Sequence, residues 1–342
     1  MSIILQGRSA LARIRSLGHR LTHLVALAAA CGCVAHAAHA SAPDYPSKPV
    51  RIVVGFPPGG AADMLARLLA EKLGNVYKQS FVVENRAGAG GTIGAGSVAR
   101  ASNDGYTLLL GVTASQTIAP SIYKTLPYDP IKDFEPVAML ATIPVALVVN
   151  AQVPAESAAQ LVELAKKSDP PMGFGSSGIG AIPHLTGELF QKSQAVSLLH
   201  VPFKGSSPAL TELLAGRVQM MFDHLPSSLP SIKAGKLRAV AIAGDKRAAA
   251  LPEIPTLAEQ GINGVSVRSW FGLLAPHGTP QEIVDSLNKT INEQLAGKDA
   301  AQAIAGFGAE LATMSPQEFA RIIREDSQQW AEVVRDTGVT AN

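Results

Sequence analysis

From Pro49 onward, short runs of β-branched and aliphatic residues alternate with segments whose apolar residues recur at helical spacing, and this alternation restricts the fold more than any other feature. Val50-Arg51-Ile52-Val53-Val54 reads as a buried strand, ended by the turn formers Gly55-Phe56-Pro57-Pro58-Gly59-Gly60. The next segment places Met64, Leu65, Leu68, Leu69 and Leu73 on one helical face, with Arg67 and Glu71 paired on the other. Phe81–Val83 and Leu108–Leu110 are strand-like, with a glycine-rich turn over 88–96 between them. Val145–Val149, Met172–Phe174, Leu198–Val201, Met220–Phe222 and Val240–Ala243 continue the series, most of them separated by helical patterns. The expected fold is therefore α/β, with mostly parallel sheets flanked by helices, and neither a sandwich nor a bundle.

In the last third, Thr279-Pro280-Gln281-Glu282 and Ser315-Pro316-Gln317-Glu318 each combine an N-cap hydroxyl, a proline in the first turn and a glutamate at the third helical position. After the second, Phe319, Ile322, Ile323, Trp330, Val333 and Val334 form the stripe of a long helix packed on a sheet.

The first forty residues are of another kind. Arg8, Arg13, Arg15 and Arg20 precede an apolar stretch from Leu21 to Ala35, and Ala38-His39-Ala40 stands before Ser41. That order is the pattern of a secretory signal peptide cut after Ala40. A lipid anchor through Cys31 is the alternative, but it calls for a larger apolar residue where Ala28 stands. Setting the leader aside removes four of the 29 basic residues and leaves 25 against 27 acidic ones. No basic run remains to suggest nucleic acid or an anionic membrane surface as a partner. Both cysteines lie in the leader, so the roughly 300 residues that follow have no thiol chemistry, and that length is ample for two cores.

A reactive constellation is hard to assemble. There is no H-E-x-x-H, C-x-x-C or G-x-S-x-G motif, and His184, His200, His224 and His277 lack metal-ligand spacing. The glycines at 88, 90, 91, 94 and 96 miss the dinucleotide-binding spacing, since Ile93 stands where a glycine is needed. A serine hydrolase built on Ser177 has no evident base. The expectation is a binding protein with no catalytic residues, no metal and no cofactor.

The run from Tyr45 to Asp63, YPSKPVRIVVGFPPGGAAD, resembles the start of the mature receptors of tripartite tricarboxylate transporters, the Bug-type solute-binding proteins. The likeness continues through Glu84–Gly91, Leu126–Pro130, Gly175–Gly178, His200–Gly205, Ala234–Arg238 and Trp270–Leu273. The resemblance implies a two-domain periplasmic receptor whose cleft closes over a small carboxylate, with the chain crossing between domains near Ile143 and near Trp270. The implied division is a leader over 1–40, one domain from 46–142 with 272–342, and a second over 143–271. The implied partners are the membrane permease subunits or, alternatively, a sensor kinase that reads the loaded receptor, which itself is expected to be a monomer. Ala61 and Ala62 stand where relatives often carry Ser or Thr, and Phe203 where Tyr is frequent. These changes tilt the expected ligand, among di- and tricarboxylates, acidic amino acids and aromatic carboxylates, towards a less hydroxylated or aromatic acid.

A carboxylate leaving water must recover its hydrogen bonds, and backbone N–H groups at a helix N-terminus supply them. Gly59-Gly60-Ala61 lies between a strand and a helix, where backbone can approach a ligand unobstructed, with Phe56 as a candidate wall and Asp63 as the residue that orients the loop. Ser176-Ser177-Gly178-Ile179-Gly180 repeats the design ahead of a helix bearing His184. Its hydroxyls serve equally well as helix caps. Thr113, Ser115 and Gln116 follow a strand and are candidate polar contacts, as are Phe203, Lys204 and Gly205. His184 and Asp223 read equally as structural or ligand-facing, and Trp270 as packing at a crossover.

Overall fold

The computed structural model of the chain describes residues 45–341, so the expected leader, its expected cleavage after Ala40 and Cys31 lie outside the described residues. The first half runs β1 (Val50–Val54), α1 (Ala61–Tyr77), β2 (Phe81–Asn85), α2 (Thr92–Ala99), β3 (Thr107–Val112), a π-type turn (Ala114–Ile118), α3 (Ala119–Ile122) and β4 (Phe134–Thr142). The middle holds β5 (Val145–Asn150), α4 (Ala158–Lys167), β6 (Gly173–Ser176), α5 (Ile182–Gln194), β7 (Leu199–Pro202), α6 (Ser206–Leu214), β8 (Met220–His224), α7 (Leu225–Lys233) and β9 (Leu237–Ile242). The chain then returns through β10 (Trp270–Pro276), α8 (Gln281–Ala296), α9 (Lys298–Gly306), β11 (Glu310–Leu311) and α10 (Pro316–Thr337). The strands form a six-stranded sheet ordered β11-β4-β10-β3-β1-β2 and a five-stranded sheet ordered β7-β6-β8-β5-β9. Each sheet with its covering helices makes one lobe of an α/β fold.

Both sheets are mixed, where the alternation led us to expect mostly parallel ones. β1 runs parallel to β2 and β3, and β6 to β7 and β8, but β4, β10 and β11 pair antiparallel, as do β5, β8 and β9. The cause is the pair of interlobe crossings, which lie side by side. β4 leaves its sheet at Thr142 where β10 enters at Trp270, paired in register, so the two must run in opposite directions. β5 enters the other sheet opposite the exit of β9, with Ala146 facing Ile242. The amide of Ile143 donates to the Ser269 carbonyl at 2.8 Å, which ties one crossing to the other.

The second crossing is anchored in the core. Trp270 is fully buried; its indole N–H donates to Asp326 at 2.7 Å, and its ring meets Phe319 edge-on at 5.0 Å. Asp326, buried on α10, also accepts from the Arg268 guanidinium. Thr113 completes the anchor, accepting from the Trp270 amide at 2.8 Å. Along α10, Phe319 and Ile323 belong to the core of the six-stranded lobe, whereas Trp330 and Val334 belong to a core on the five-stranded lobe. At about 1.5 Å per residue, 22 residues are long enough to reach both.

Two local expectations need correction. Arg67 pairs with Asp63 one turn earlier, at 2.9 Å, and Glu71 meets only the neighbouring Lys72 at 3.9 Å. The buried acceptor wins because Asp63 offers a fixed, desolvated carboxylate and Glu71 a solvated one. Ser315 makes the full capping box with Glu318. Thr279 does not cap, because its hydroxyl donates to the Pro276 carbonyl at 2.7 Å and Pro280 takes the cap position.

A Cβ on Gly272, in the middle of β10, would run into the Phe319 ring and lie 3.0 Å from the Ala138 carbonyl. Gly272→Ala is therefore expected to push α10 outward and cost about 1–3 kcal/mol, as overpacked cores do. Denaturant unfolding should show a lower midpoint with an unchanged slope.

Candidate functional site

Between the two sheets lies a cavity with about 440 Å³ of atom-free space. Its wall is mostly apolar, from Phe56, Pro57, Val112, Ile182 and Phe271 together with four alanines. Ser177, Ser206, His224 and Ser269 supply the side-chain polarity, and neither lysine nor arginine lines it. Residues at four helix starts reach this wall: Ala61 and Ala62 of α1, Ala181 and Ile182 of α5, Ser206 of α6, and His224 just before α7. No side chain caps α1, α5, α6 or α7. Their first-turn amides lack intrahelical acceptors, and the aligned peptide dipoles make each end partly positive.

The lobes touch along the seam of this cavity. The Ala61 amide donates to Ser227 Oγ at 3.1 Å, and Ser207 Oγ donates to the Pro58 carbonyl at 3.0 Å. Gly205 and Gly180 adopt φ values of 146° and 75°, and a Cβ on either would strike Pro57 or Ile122. These two glycines permit the close approach.

The loop before α1 is held from behind. Asp63 accepts from the Gly59 amide at 3.0 Å, from Arg67 through both carboxylate oxygens and from Asn85 at 2.9 Å, while Asn85 also donates to the Phe56 carbonyl at 3.0 Å. Burial works to raise the Asp63 pKa, but the hydrogen bonds from Arg67, Gly59 and Asn85 outweigh it and hold the carboxyl below its ordinary value.

Of the candidates read from sequence, Phe56, Gly60, Ala61 and Ser177 line the cavity. Gly178, Phe203 and Lys204 line a neighbouring, more open groove that shares Phe56 and Ser177. Gly59, Asp63, Gly180 and Gly205 support the seam loops. Thr113, Ser115 and Gln116 are buried and turn to the protein itself: Thr113 to Trp270, Ser115 to the Val112 carbonyl at 3.3 Å, and Gln116 to Ser115 at 3.4 Å. Ser176 and His184 sit beneath the second loop, and Asp223 behind Ser206, to which it is bonded at 2.7 Å. Ser206, His224, Ser269 and Phe271 were not singled out. His224 and Ser269 hydrogen-bond at 2.9 Å across the gap between β8 and the second crossing, which no local pattern announces.

Two Ser–His pairs invite a catalytic reading, and the electrostatics argue against it. Burial lowers His224 to about 4; burial and then the adjacent His184 imidazole lower His200, which bonds Ser176 at 2.7 Å, to about 3. Bases that weak do not activate a serine near neutral pH. His184, Glu188 and His200 also bring ligand-type atoms within 4.8 Å of one another, a cluster invisible in the sequence spacing. Yet His184 Nδ1 accepts from the Gly180 amide at 3.1 Å, which puts the neutral ring's proton on Nε2, the nitrogen facing Glu188. A metal-binding histidine normally has its second nitrogen donating outward, so this arrangement favours a hydrogen-bonded stack over a metal centre.

A family model described as the tripartite tricarboxylate transporter family receptor matches residues 65–339. Protein BugT of Bordetella pertussis (strain Tohama I) is 38% identical over 303 residues, covering 88% of this chain and 93% of that protein. Among solved structures, R. palustris Rpa4515 with adipate aligns with a TM-score of 0.85 at 39% identity, covering 86% of this chain and 99% of that one. MatC from Rhodopseudomonas palustris with bound malate aligns at 0.80 and 32% identity, over 85% and 100%. The periplasmic binding protein BugD aligns at 0.84 and 36%, over 87% and 100%.

The lowered His224 pKa sets a pH dependence. The unfolded chain takes up this proton near pH 6.5 and the folded chain only near 4, so the stability is complete above about 6.5 and is lost as pH falls towards 4. His224→Gln should reduce the acid-side slope of unfolding free energy by up to one proton, about 1.4 kcal/mol per pH unit, in denaturant titrations between pH 6.5 and 4.5.

Proposed function

The chain belongs to the tripartite tricarboxylate transporter receptor family, whose members are solute-binding receptors of the periplasm, and on that premise we propose that it captures a small carboxylate in the interlobe cavity and delivers it to membrane permease subunits. The observation that carries this reading is the convergence of four uncapped helix starts on a cavity lined by no cationic side chain. Such a cavity rewards an anion through backbone N–H groups alone. Ser177, a residue only 5% exposed, adds a hydroxyl to the wall. The neighbours that hold adipate and malate support the same class of ligand.

The ends of the cavity are unequal. Pro183, Pro208 and Pro226 occupy the first turns of α5, α6 and α7 and remove an N–H from each, whereas α1 begins Ala61-Ala62-Asp63 without proline and, with Ala61 given to Ser227, keeps the amides of Ala62 and Asp63. The carboxylate therefore seats against α1, with its body between Phe56 and Phe271 and its far end towards Ser177. An apolar or aromatic body suits those walls. The strand memberships support a first domain of 46–142 with 272–342 and a second of 143–271, acting as a monomer because one chain carries the whole cleft.

Gly60 gives a clean test. Its φ of −86° suits any residue, and a Cβ there would find only the Pro57 carbonyl, at 4.0 Å. Gly60→Val should fold normally, place its methyls in the carboxylate seat and abolish binding in a calorimetric and thermal-shift screen of carboxylates. Ser177→Ala should weaken binding by about 0.5–1.5 kcal/mol, rising to ~3 where the lost partner is the charged oxygen. Glu71→Ala, on the outer face of α1, should leave affinity unchanged. A folded Gly60→Val protein that binds like the parent would remove this loop from the site.

A further inference from the structure

Behind the cavity wall lies an acid with an unanswered oxygen. Ser206 lines the cavity and donates to Asp223 Oδ1 at 2.7 Å. Asp223 is wholly buried, and neither its Oδ2 nor the buried hydroxyl of Ser228 on α7 makes a well-formed hydrogen bond, although Ser228 and the His224 N–H lie close enough to lower the carboxyl's pKa against the effect of burial. The groups that face the carboxyl are Ser206 of α6, Ser228 of α7 and the backbone N–H of His224 on its own strand. Its partner in register on β5 is Ala146. The His224 imidazole beside it is held neutral, so no cation balances an ionised Asp223.

An ionised carboxyl there forces the Ser206 proton inward, and the hydroxyl then shows the cavity only lone pairs, which repel an anion. A ligand carboxylate would also share a low-dielectric space with a second negative charge, which disfavours ionisation of one of the two. Protonation resolves both conflicts. With a proton on Oδ1, Asp223 donates to Ser206 Oγ, the Ser206 hydrogen turns into the cavity, and Oδ2 becomes a neutral acceptor for Ser228. We propose that Asp223 is a positioning residue through which the receptor takes up one proton together with its carboxylate ligand. This rests on the carboxylate reading above. The balance is simple: one proton passes from solvent to Asp223 and the ligand binds as an anion, so a monocarboxylate leaves the charge of the filled site equal to that of the empty ionised one and a dicarboxylate makes it one unit more negative. Burial already pushes the Asp223 pKa up to about 7, so the uptake falls in an accessible range.

The probe is whichever of adipate, malate, hexanoate and benzoate binds tightest, each fully ionised above pH 7. Calorimetry on the parent protein at pH 8, in buffers of different ionisation enthalpy, should report uptake approaching one proton. Affinity should fall by about tenfold per pH unit above ~7.5. Asp223→Asn offers an amide donor to Ser206 at every pH, so its affinity should be flat from pH 7 to 9, with no uptake. Buffer-independent heats from a binding parent protein overturn the proposal, whether or not the variant folds, and so does a variant profile parallel to the parent's. If none of the four acids binds at any pH, the carboxylate reading itself falls, and the proton linkage falls with it.

Discussion

A cavity without a cation obliges the backbone to supply whatever attraction it has for an anion. That requirement accounts for much of the architecture. β1, β6 and β8 all finish at the seam and hand over to helices there, which brings the helix N-termini to the cavity. The same requirement explains why the loops are so bare. Gly59, Gly60, Gly178 and Gly180 leave the peptide groups unobstructed, and the one strongly ionised residue among these loops, Asp63, faces away and ties the loop down from behind.

Holding helix ends in place across two lobes needs a stiff connection on the far side. The crossing peptides supply it by pairing with each other and with the core. Ile143 and Ser269 are hydrogen-bonded, Thr113 grips the backbone of Trp270, and Asp326 takes the indole N–H. This explains why Thr113, a polar residue at the end of β3, is fully buried yet unavailable to a ligand. Its hydroxyl satisfies backbone that would otherwise be buried and unpaired.

The local parts of the fold were legible and the long-range parts were not. The Gly59-Gly60 turn, the uncapped start of α1 and the position of Ser177 all follow from spacing within a few residues, and all four helix starts at the seam carry glycine, serine or proline signals. Strand direction is different. Nothing near Val145 or Trp270 says that each runs antiparallel to its neighbour, because that is decided by the crossings. β4 and β10 escaped notice for chemical reasons: Pro136 and Gly272 interrupt patterns that are otherwise strand-like, and both sit at or beside register shifts where the ladder is already broken. His224, Ser206 and Ser269 reach the cavity from three separate stretches, so only the folded chain brings them together. Arg67 misled for a simpler reason, since two acids stand one turn away on either side and burial alone decided between them.

The helix that shares its side chains between the two cores has a temporal side. Translation proceeds from the N-terminus, so every strand of both sheets is made before Phe319, Ile323, Trp330 and Val334 exist. Until those residues arrive, Trp270 lacks its indole partner and neither core is sealed. One late segment therefore supplies side chains to both halves.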